Sequence, residues 1–330
     1  MGLRRCLAAV TALLTACVLA SCGAIEEGDH EVSIAGVFSG PTTDADYNAL
    51  GAKALLDMES DEVKVAYSES VEVPDVERVI EEYVSDGYDI VWTHGSQFYA
   101  ATAKVAARHP DVTFIGEFDG KPKDQPENVW VIDRNFHTVF YPLGTLAAHL
   151  SQTGRVAYLG GLSLPFSYSE VHALEQAIAD SGEDVQLSRV WTGDFNDTVR
   201  AQQAAAQLMS DGNDIVITSL NLGVVGAFQA VKQEDVGDAW ITVKYTDKSA
   251  NGPEHYAASV IYDFSEPLQK IVDQIQAGER SGYFALTFGD GTSVDVGDEV
   301  PAEAKAAVDD AVQRIESGEL TVELDQSEVK

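Results

Sequence analysis

The sequence lacks cysteine along almost its whole length. The three cysteines, Cys6, Cys17 and Cys22, all lie within the first 22 of the 330 residues. Residues 23–330 therefore contain neither a disulfide nor a thiol nucleophile. A fold built from these residues must take its stability from a hydrophobic core.

Positive charge is also scarce. The chain has 21 Lys and Arg residues against 54 Asp and Glu residues, which gives a formal net charge of −33. A polyanion gains no counterion-release energy on such a surface, so the charge excludes nucleic acid as a partner and disfavours anionic lipid headgroups. We interpret the acidity as a strongly solvated surface, with an acidic groove for a cation as the alternative.

The sequence also lacks the short motifs of common enzymes. It contains no phosphate-binding G-x-x-x-x-G-K-[ST], no dinucleotide-binding G-x-G-x-x-G, no H-E-x-x-H and no G-x-S-x-G. Its seven histidines are scattered, and no two of them lie three or four residues apart. The sequence therefore predicts no enzymatic activity, no cofactor and no metal site, and an extracellular hydrolase is the disfavoured alternative.

The N-terminus is typical of an exported protein. Arg4 and Arg5 precede an apolar run, Cys6–Ala20, that is shorter than the roughly 20 residues of a membrane span. The run ends in Leu19-Ala-Ser-Cys22-Gly, which resembles a bacterial lipobox. This predicts a signal peptide over residues 1–21, lipidation of Cys22, a tether over residues 22–30 and a lipid-anchored protein on the extracytoplasmic face of the cell membrane. A signal peptide without lipidation is the alternative.

From residue 31 onward, short apolar runs alternate with longer amphipathic stretches. This alternation is typical of βαβ units and a parallel sheet. The segment Asp86–Thr93 (DGYDIVWT) is similar to Asp211–Thr218 (DGNDIVIT), which follows it at an offset of 125 residues. The sequence therefore predicts an α/β fold with two doubly wound domains of the same topology.

Each predicted domain has an aspartate beyond the end of one strand. Asp119 follows a strand in the first domain and Asp247 follows the corresponding strand in the second. Ligands of open α/β sheets bind beyond the carboxyl ends of the strands, so both aspartates are candidates for a cleft between the domains. The alternative is that each one caps a helix or closes a turn.

Several blocks of sequence resemble one known family. The segment Asp44–Gly51 (DADYNALG) resembles the D-x-S-F-N-x-x-x-x-G block of the basic membrane protein family, the lipoprotein substrate-binding components of ABC importers that include purine nucleoside receptors. Phe114–Asp119 (FIGEFD), Tyr141–Gly144 (YPLG) and Thr153–Gly161 (TGRVAYLGG) are also similar to blocks of this family. The resemblance extends over essentially all of the chain after residue 31.

The resemblance implies a type I periplasmic-binding-protein fold, in which two lobes are joined by three crossings of the chain. We expect the crossings near Asp133–Phe136, Ile261–Asp263 and Phe288–Val294. The first lobe would then comprise residues 31–133 and 262–288. The second lobe would comprise residues 134–261 and 289–330.

The resemblance also implies a ligand site between the lobes. A purine would lie between Tyr47 of the first lobe and Phe195 of the second, while Asn48 and Asp119 hydrogen-bond its edge. For both aromatic residues the alternative is packing in the core. The other candidates are Asp44, Asp247, Tyr245 and Tyr262, with Phe166 and Trp191 as weaker alternatives to Phe195.

Two departures from the family pattern concern the ribose. Where nucleoside-binding relatives carry G-x-D-x-D and a lysine, this chain has Val243–Asp247 (VKYTD) and Ser259–Tyr262 (SVIY). Tyr245 and Tyr262 thus stand in place of the expected partners of ribose hydroxyls. A free nucleobase or another flat heterocycle fits this pattern better than a nucleoside does.

The function implied is that of a lipid-anchored receptor that delivers a small molecule to an ABC permease. One alternative is a ligand-sensing lipoprotein that works without a permease. The other is a receptor for a sugar or a different small heterocycle.

Overall fold

The computed structural model describes residues 32–233 and 239–329. The signal peptide of residues 1–21, the lipidation site Cys22 and the tether of residues 22–30 lie outside the described residues. Across the described ranges, we find no helix that has both the length and the apolar character needed to cross a membrane.

The described chain alternates between strands and helices. The strands are β1 (Val32–Phe38), β2 (Val63–Ser68), β3 (Ile90–His94), β4 (Thr113–Phe118), β5 (Val129–Asp133), β6 (Arg155–Gly160), β7 (Gln186–Trp191), β8 (Ile215–Ser219), β9 (Trp240–Tyr245), β10 (Tyr256–Tyr262), β11 (Gly282–Ala285), β12 (Thr287–Phe288) and β13 (Gly291–Val296). The α-helices are α1 (Tyr47–Leu56), α2 (Val76–Ser85), α3 (Tyr99–Ala106), α4 (Phe136–Leu150), α5 (Pro165–Ser181), α6 (Thr198–Ser210), α7 (Val224–Val231), α8 (Ser265–Gln276) and α9 (Ala302–Glu316).

These elements form two lobes, each built on one sheet. The first sheet is entirely parallel and has the order β2-β1-β3-β4-β5-β11. The second has the order β7-β6-β8-β9-β10-β13-β12, in which β13 runs antiparallel to β10. Both sheets thus begin with the same doubly wound order, which confirms the two-lobed α/β architecture.

The similar segments detected in the sequence occupy equivalent places in the two sheets. β3 lies beside β1 in the first sheet, and β8 lies beside β6 in the second. All five residues of β3 and all five of β8 are buried, as expected for central parallel strands with helices on both faces. The internal repeat is therefore a repeat of topology.

Helix α4 forms much of the core of the second lobe. Thirteen of its 15 residues are buried, and the helix packs against α5 and α9. Gly144 permits the close approach of α4 to α5, because a Cβ atom at this position would lie 2.8 Å from the Cβ of Ala177.

Within residues 32–233 and 239–329, the chain crosses between the lobes three times. The first crossing joins β5 to α4, and the second joins β10 to α8. The third was predicted near Phe288–Val294, but it lies between Ala285 and Thr287, because β12 already pairs with β13 in the second sheet. The second segment of the first lobe therefore ends at Ala285 rather than at residue 288.

Candidate functional site

A cavity of about 710 Å³ lies between the two lobes. Residues that follow the carboxyl ends of strands in both sheets line it, as expected for this class of fold. The first lobe contributes, among others, Asp44, Tyr47, Asn48 and Asp119. The second lobe contributes, among others, Phe166, Phe195, Asn221 and Tyr245.

Tyr47 is held rigidly at the start of α1. Its ring stacks on the imidazole of His94 with 3.9 Å between the ring centroids, and its hydroxyl donates to Glu117. His94 Nδ1 lies 2.5 Å from Glu117 Oε1, and both of these side chains are fully buried. Burial and the adjacent Glu117 raise the pKa of Tyr47 well above its usual value. Tyr47 is therefore a neutral phenol that exposes only 7% of its surface, and it lines the cavity.

Asp44 and Asn48 shape the wall beside Tyr47. Asp44 accepts hydrogen bonds from the backbone N–H groups of Asp46 and Ala49 and from the side-chain amide of Asn48. Asn48 Oδ1 in turn accepts from the backbone N–H of Gly40 at 3.1 Å. Asp44 thus caps the first turn of α1. Among the described residues, the amide nitrogen of Asn48 donates to Asp44 alone, which leaves its second hydrogen for a ligand.

Asp119 forms a buried ion pair with Arg134, a residue that the sequence analysis did not identify. Arg134 Nε lies 3.0 Å from Asp119 Oδ1, and Nη2 lies 2.5 Å from Oδ2. Burial alone would lower the pKa of Arg134, but Asp119, Tyr47 and Glu117 together raise it well above its usual value. The guanidinium is therefore charged. The one available indication in the sequence was its position directly after the buried apolar strand β5.

Two phenylalanines contribute aromatic surface to the second-lobe wall. Phe166 and Phe195 are both half-buried, and their rings are nearly parallel, with an interplanar angle of 21° and 6.2 Å between centroids. Trp191, another candidate, does not line the cavity, and its indole N–H donates to Ser167 Oγ at 3.1 Å.

Of the three remaining candidate residues, one lines the cavity and two do not. Tyr245 lines the cavity, and its ring centroid lies 5.5 Å from that of Tyr47. Tyr262 does not line it, because it is buried at the second crossing, where its hydroxyl donates to the carbonyl of Arg134. Asp247 is exposed outside the cavity wall, where its carboxylate accepts from the backbone N–H of Ser249 and closes a turn.

A second buried ion pair lies behind the second-lobe wall. Lys244 Nζ lies 2.5 Å from Glu170 Oε1 and 3.3 Å from the centroid of the Phe136 ring. Burial lowers the pKa of Lys244 to about 8, although Glu170 opposes this shift. Neither residue lines the cavity, so the pair joins β9 to α5 within the core.

Two hydrogen bonds to Asp46 join the lobes beside the cavity. Asp46 Oδ1 accepts from Lys248 Nζ at 2.5 Å and from Thr246 Oγ1 at 3.3 Å. Burial raises the pKa of Asp46, although Lys248 opposes the shift. Because Asp46 precedes α1 and Lys248 follows β9, this contact exists only when the lobes are close together.

The segment after α9, residues 317–329, is called the C-terminal strap here. It crosses both lobes: Gln326 Nε2 approaches the carbonyl of Asp119 at 3.4 Å, while the backbone N–H of Glu323 donates to Gln176 on α5. Gln326 also lines the cavity. The strap therefore supplies part of the cavity wall.

In the parts of the chain that the structure describes, no group of three or more His, Cys, Asp or Glu side chains is placed to hold a metal ion. Among the described lining residues, the polar groups are amides, hydroxyls, the carboxylate of Asp44 and the Asp119–Arg134 pair.

Comparison with known proteins gives consistent matches. Residues 31–289 match the family described as PnrA-like ABC transporter substrate-binding proteins. Basic membrane protein B of Borreliella burgdorferi is 23% identical over 300 residues, covering 83% of this chain and 85% of that protein. A purine-binding protein of Brucella abortus is 24% identical over 198 residues, covering 59% and 56%.

A solved structure supports the same architecture. An ABC transporter solute-binding protein from Conexibacter woesei superposes with a TM-score of 0.70 at 27% sequence identity. The likeness covers 88% of this chain and 98% of that one, so it includes both lobes.

Proposed function

This chain belongs to the PnrA-like family of ABC transporter substrate-binding proteins, and from this premise we propose that it binds a purine base or nucleoside between its lobes. Membership implies an extracytoplasmic protein that has a small-molecule ligand and delivers it to permease subunits. It also implies solute binding rather than catalysis.

The observation that carries the proposal is the cavity between the lobes, which has aromatic side chains on both walls. Tyr47 contributes from the first lobe, and Phe195 and Phe166 contribute from the second. Stacking on an aromatic side chain stabilises a bound base by about 1–3 kcal/mol. The half-buried phenylalanines present more ring surface than Tyr47, so we assign them the larger share of this energy. The similarity to a protein named for purine binding supports the same ligand class.

Polar groups beside the aromatic rings are suited to the edge of a heterocycle. Asn48 offers one amide N–H, and the ion pair of Asp119 with Arg134 lies on the same wall. A buried polar atom left without a partner costs about 1–3 kcal/mol, so these groups discriminate between ligands by the pattern of donors and acceptors.

The second-lobe wall argues against a strong contribution from ribose. None of the described residues that line this wall is an aspartate or a lysine, since Asp247 is exposed and Lys244 is paired with Glu170. We therefore propose that the base supplies most of the affinity. A base and its nucleoside are expected to bind within about tenfold of each other, because that ratio corresponds to only about 1.4 kcal/mol.

We also propose that Cys22 carries a lipid that holds the protein at the outer face of the cell membrane. This rests on the residues before it: two arginines, an apolar run of signal-peptide length and the lipobox-like LASC.

Isothermal titration calorimetry tests the ligand class. A soluble form that begins at Gly23 is titrated with purine bases, purine nucleosides, pentoses and hexoses. We expect one purine to bind per chain and no sugar to compete with it. Binding of a pentose or hexose, with no purine binding, would contradict the proposal.

Two substitutions and one control locate the site. Tyr47→Ala and Phe195→Ala are each expected to weaken purine binding by about 1–3 kcal/mol, or about 5- to 150-fold. Tyr67→Ala is the control, because Tyr67 is 40% exposed on β2 and does not line the cavity. Unchanged affinity in Tyr47→Ala and Phe195→Ala would show that the ligand binds elsewhere, and an equal loss in Tyr67→Ala would show that the effect is not specific to the site.

A further inference from the structure

Arg134 occupies a distinctive position, at the junction of the lobes and in the cavity wall. It is the first residue after β5, and its backbone N–H donates to the carbonyl of Phe118 at 3.2 Å. Its own carbonyl accepts from the hydroxyl of Tyr262 at the second crossing. The side chain lines the cavity although the residue is only 3% exposed.

The guanidinium of Arg134 has donor capacity that the described residues do not use. Of its five N–H groups, Nε and one on Nη2 donate to Asp119, and the other on Nη2 donates to Ser96 Oγ at 2.7 Å. Nη1 makes one long contact, 3.4 Å to the hydroxyl of Tyr47, which already donates to Glu117. Among the described residues, the second N–H of Nη1 has no partner. Leaving a buried donor unpaired costs free energy, so this nitrogen is suited to an acceptor on the ligand.

The surroundings fix the direction of the guanidinium. It packs 4.2 Å from the centroid of Phe136, and two carboxylate oxygens of Asp119 hold its other edge. Its Cζ atom lies 5.3 Å from the ring centroid of Phe166 and 5.7 Å from that of Tyr47. A planar ligand in contact with the aromatic residues of both walls therefore presents its edge close to Nη1.

The charge of the cavity indicates what kind of acceptor fits. Among the described lining residues, Asp44 and Asp119 are carboxylates and Arg134 is the one cation. An anionic ligand would meet a wall that already carries an excess of negative charge. A neutral carbonyl oxygen accepts from Arg134 without this repulsion.

We propose that Arg134 is a specificity-determining residue that selects 6-oxopurines over 6-aminopurines, with Asp119 as the positioning residue that orients it. A 6-oxopurine such as hypoxanthine offers the acceptor O6 to the unused N–H of Nη1, which is one of the two contacts by which arginine recognises guanine. Adenine carries an amino group in place of O6, and this donor would face the donor of Arg134. The inference rests on the proposed binding of purines between the lobes.

The test compares hypoxanthine with adenine by calorimetry. In the wild-type protein, hypoxanthine is expected to bind about 5- to 150-fold more tightly than adenine, because adenine leaves the buried N–H of Nη1 unpaired at a cost of about 1–3 kcal/mol. In the double variant Arg134→Gln/Asp119→Asn, which removes both charges of the buried pair together, the two affinities are expected to become equal within about threefold, because the discriminating contact is gone. Arg134→Lys serves as a second variant that keeps the charge, and it too should lose most of the preference.

Phe195→Leu is the matched control, because it weakens stacking without changing the polar wall. Both bases should bind more weakly to it, and the ratio of their affinities should remain that of the wild type. A wild-type protein that binds adenine as tightly as hypoxanthine would overturn the inference and leave purine binding intact. If the ratio of the hypoxanthine and adenine affinities is unchanged in both Arg134→Lys and the double variant, the inference is also overturned and purine binding is left intact. Failure of every purine to bind would overturn the proposed function together with the inference.

Discussion

The Lys244–Glu170 pair lies behind the cavity wall, and both of its side chains are fully buried. Glu170 also accepts from the hydroxyl of Tyr158 at 2.7 Å, so three polar groups depend on one another. Lys244→Met would leave the carboxylate of Glu170 without its cation and is expected to destabilise the fold by roughly 3–5 kcal/mol. Lys244→Met combined with Glu170→Gln should recover most of this loss, since glutamine still accepts from Tyr158. Urea unfolding of the three proteins measures both effects.

The same pair makes a prediction about pH. Because burial lowers the pKa of Lys244 to about 8, compared with 10.5 for an ordinary lysine, unfolding takes up a proton between these values. The contribution of Lys244 to the free energy of unfolding therefore rises with pH across this window. We expect this rise to be absent in the Lys244→Met/Glu170→Gln variant. Identical pH profiles of unfolding free energy in the two proteins would contradict the assignment.

The proposed lipidation of Cys22 can be tested separately. Cys22→Ala removes the sulfur that would carry the lipid, so the variant should move from the membrane fraction to the soluble or secreted fraction. Labelled fatty acid should be incorporated into the wild type and not into the variant. A wild type without label, together with a variant that still sediments with membranes, would show that the anchor is something else.

Single residues also show the limits of reasoning from the sequence. Tyr47, Asn48, Asp119 and Phe195 line the cavity, and so does Arg134, which was not predicted. A charged side chain is rarely buried without an oppositely charged partner. The sequence does not show that Asp119 forms an ion pair with Arg134. Lys244 was missed for the same reason, since Glu170 precedes it by 74 residues.

Asp247 was a candidate for the cavity, but in the structure it closes a turn outside the cavity wall. Its place after a strand resembled that of Asp119, yet its carboxylate accepts from the backbone of Ser249, two residues further along. Aspartate commonly makes this local contact, which was the alternative stated for both residues. The sequence pattern alone did not distinguish the two roles.

At the scale of elements, the C-terminal strap combines a structural and a ligand-facing role. Val322 is buried in the core, whereas Gln326 lines the cavity. Ending the chain at Leu320 should therefore lower the free energy of unfolding by roughly 1–3 kcal/mol, because the apolar surface of one buried valine is lost. The same truncation should weaken ligand binding, because it removes Gln326 from the cavity wall.

Single substitutions in the strap separate the two roles. Gln326→Ala should weaken binding, by about 2- to 10-fold for one lost hydrogen bond, without a comparable loss of stability. The exposed Glu328 lies on the same strap, and Glu328→Ala is the control. Calorimetry and thermal unfolding of all four proteins measure both quantities. A truncated chain with wild-type affinity would show that the strap does not contribute to the site.

The strands and helices differ in how far they could be predicted. The first two crossings follow β5 and β10, whose long apolar patterns can be detected in the sequence. The third was misplaced because β12 has only two residues and is followed by a tight loop in which Gly289 and Gly291 have positive φ angles. A strand of two residues has no periodicity to detect, and its pairing with β13 is a tertiary feature.

At the scale of the whole molecule, the architecture was more predictable than the chemistry of the cavity. The strands and helices alternate along the sequence, and the DG-x-DIV segment is repeated. These two patterns predict two doubly wound lobes from the sequence alone. The cavity, however, combines the ends of strands from both sheets, the first crossing and the C-terminal strap. Its pattern of donors and acceptors therefore follows from the way the lobes meet.

The contact of Asp46 with Lys248 indicates how the lobes close. It joins residues on opposite sides of the cavity and is available only to a closed form. A ligand that touches both walls stabilises the same form, because it binds the closed arrangement better than an open one. We therefore propose that the lobes close around a purine.

Small-angle X-ray scattering with and without hypoxanthine tests that claim most directly. The soluble form that begins at Gly23 is measured alone, with saturating hypoxanthine and with the same concentration of ribose. We predict that hypoxanthine decreases the radius of gyration and that ribose leaves it unchanged. A scattering curve that stays the same at saturating hypoxanthine, or that responds to ribose alone, would contradict a cavity that closes on a purine.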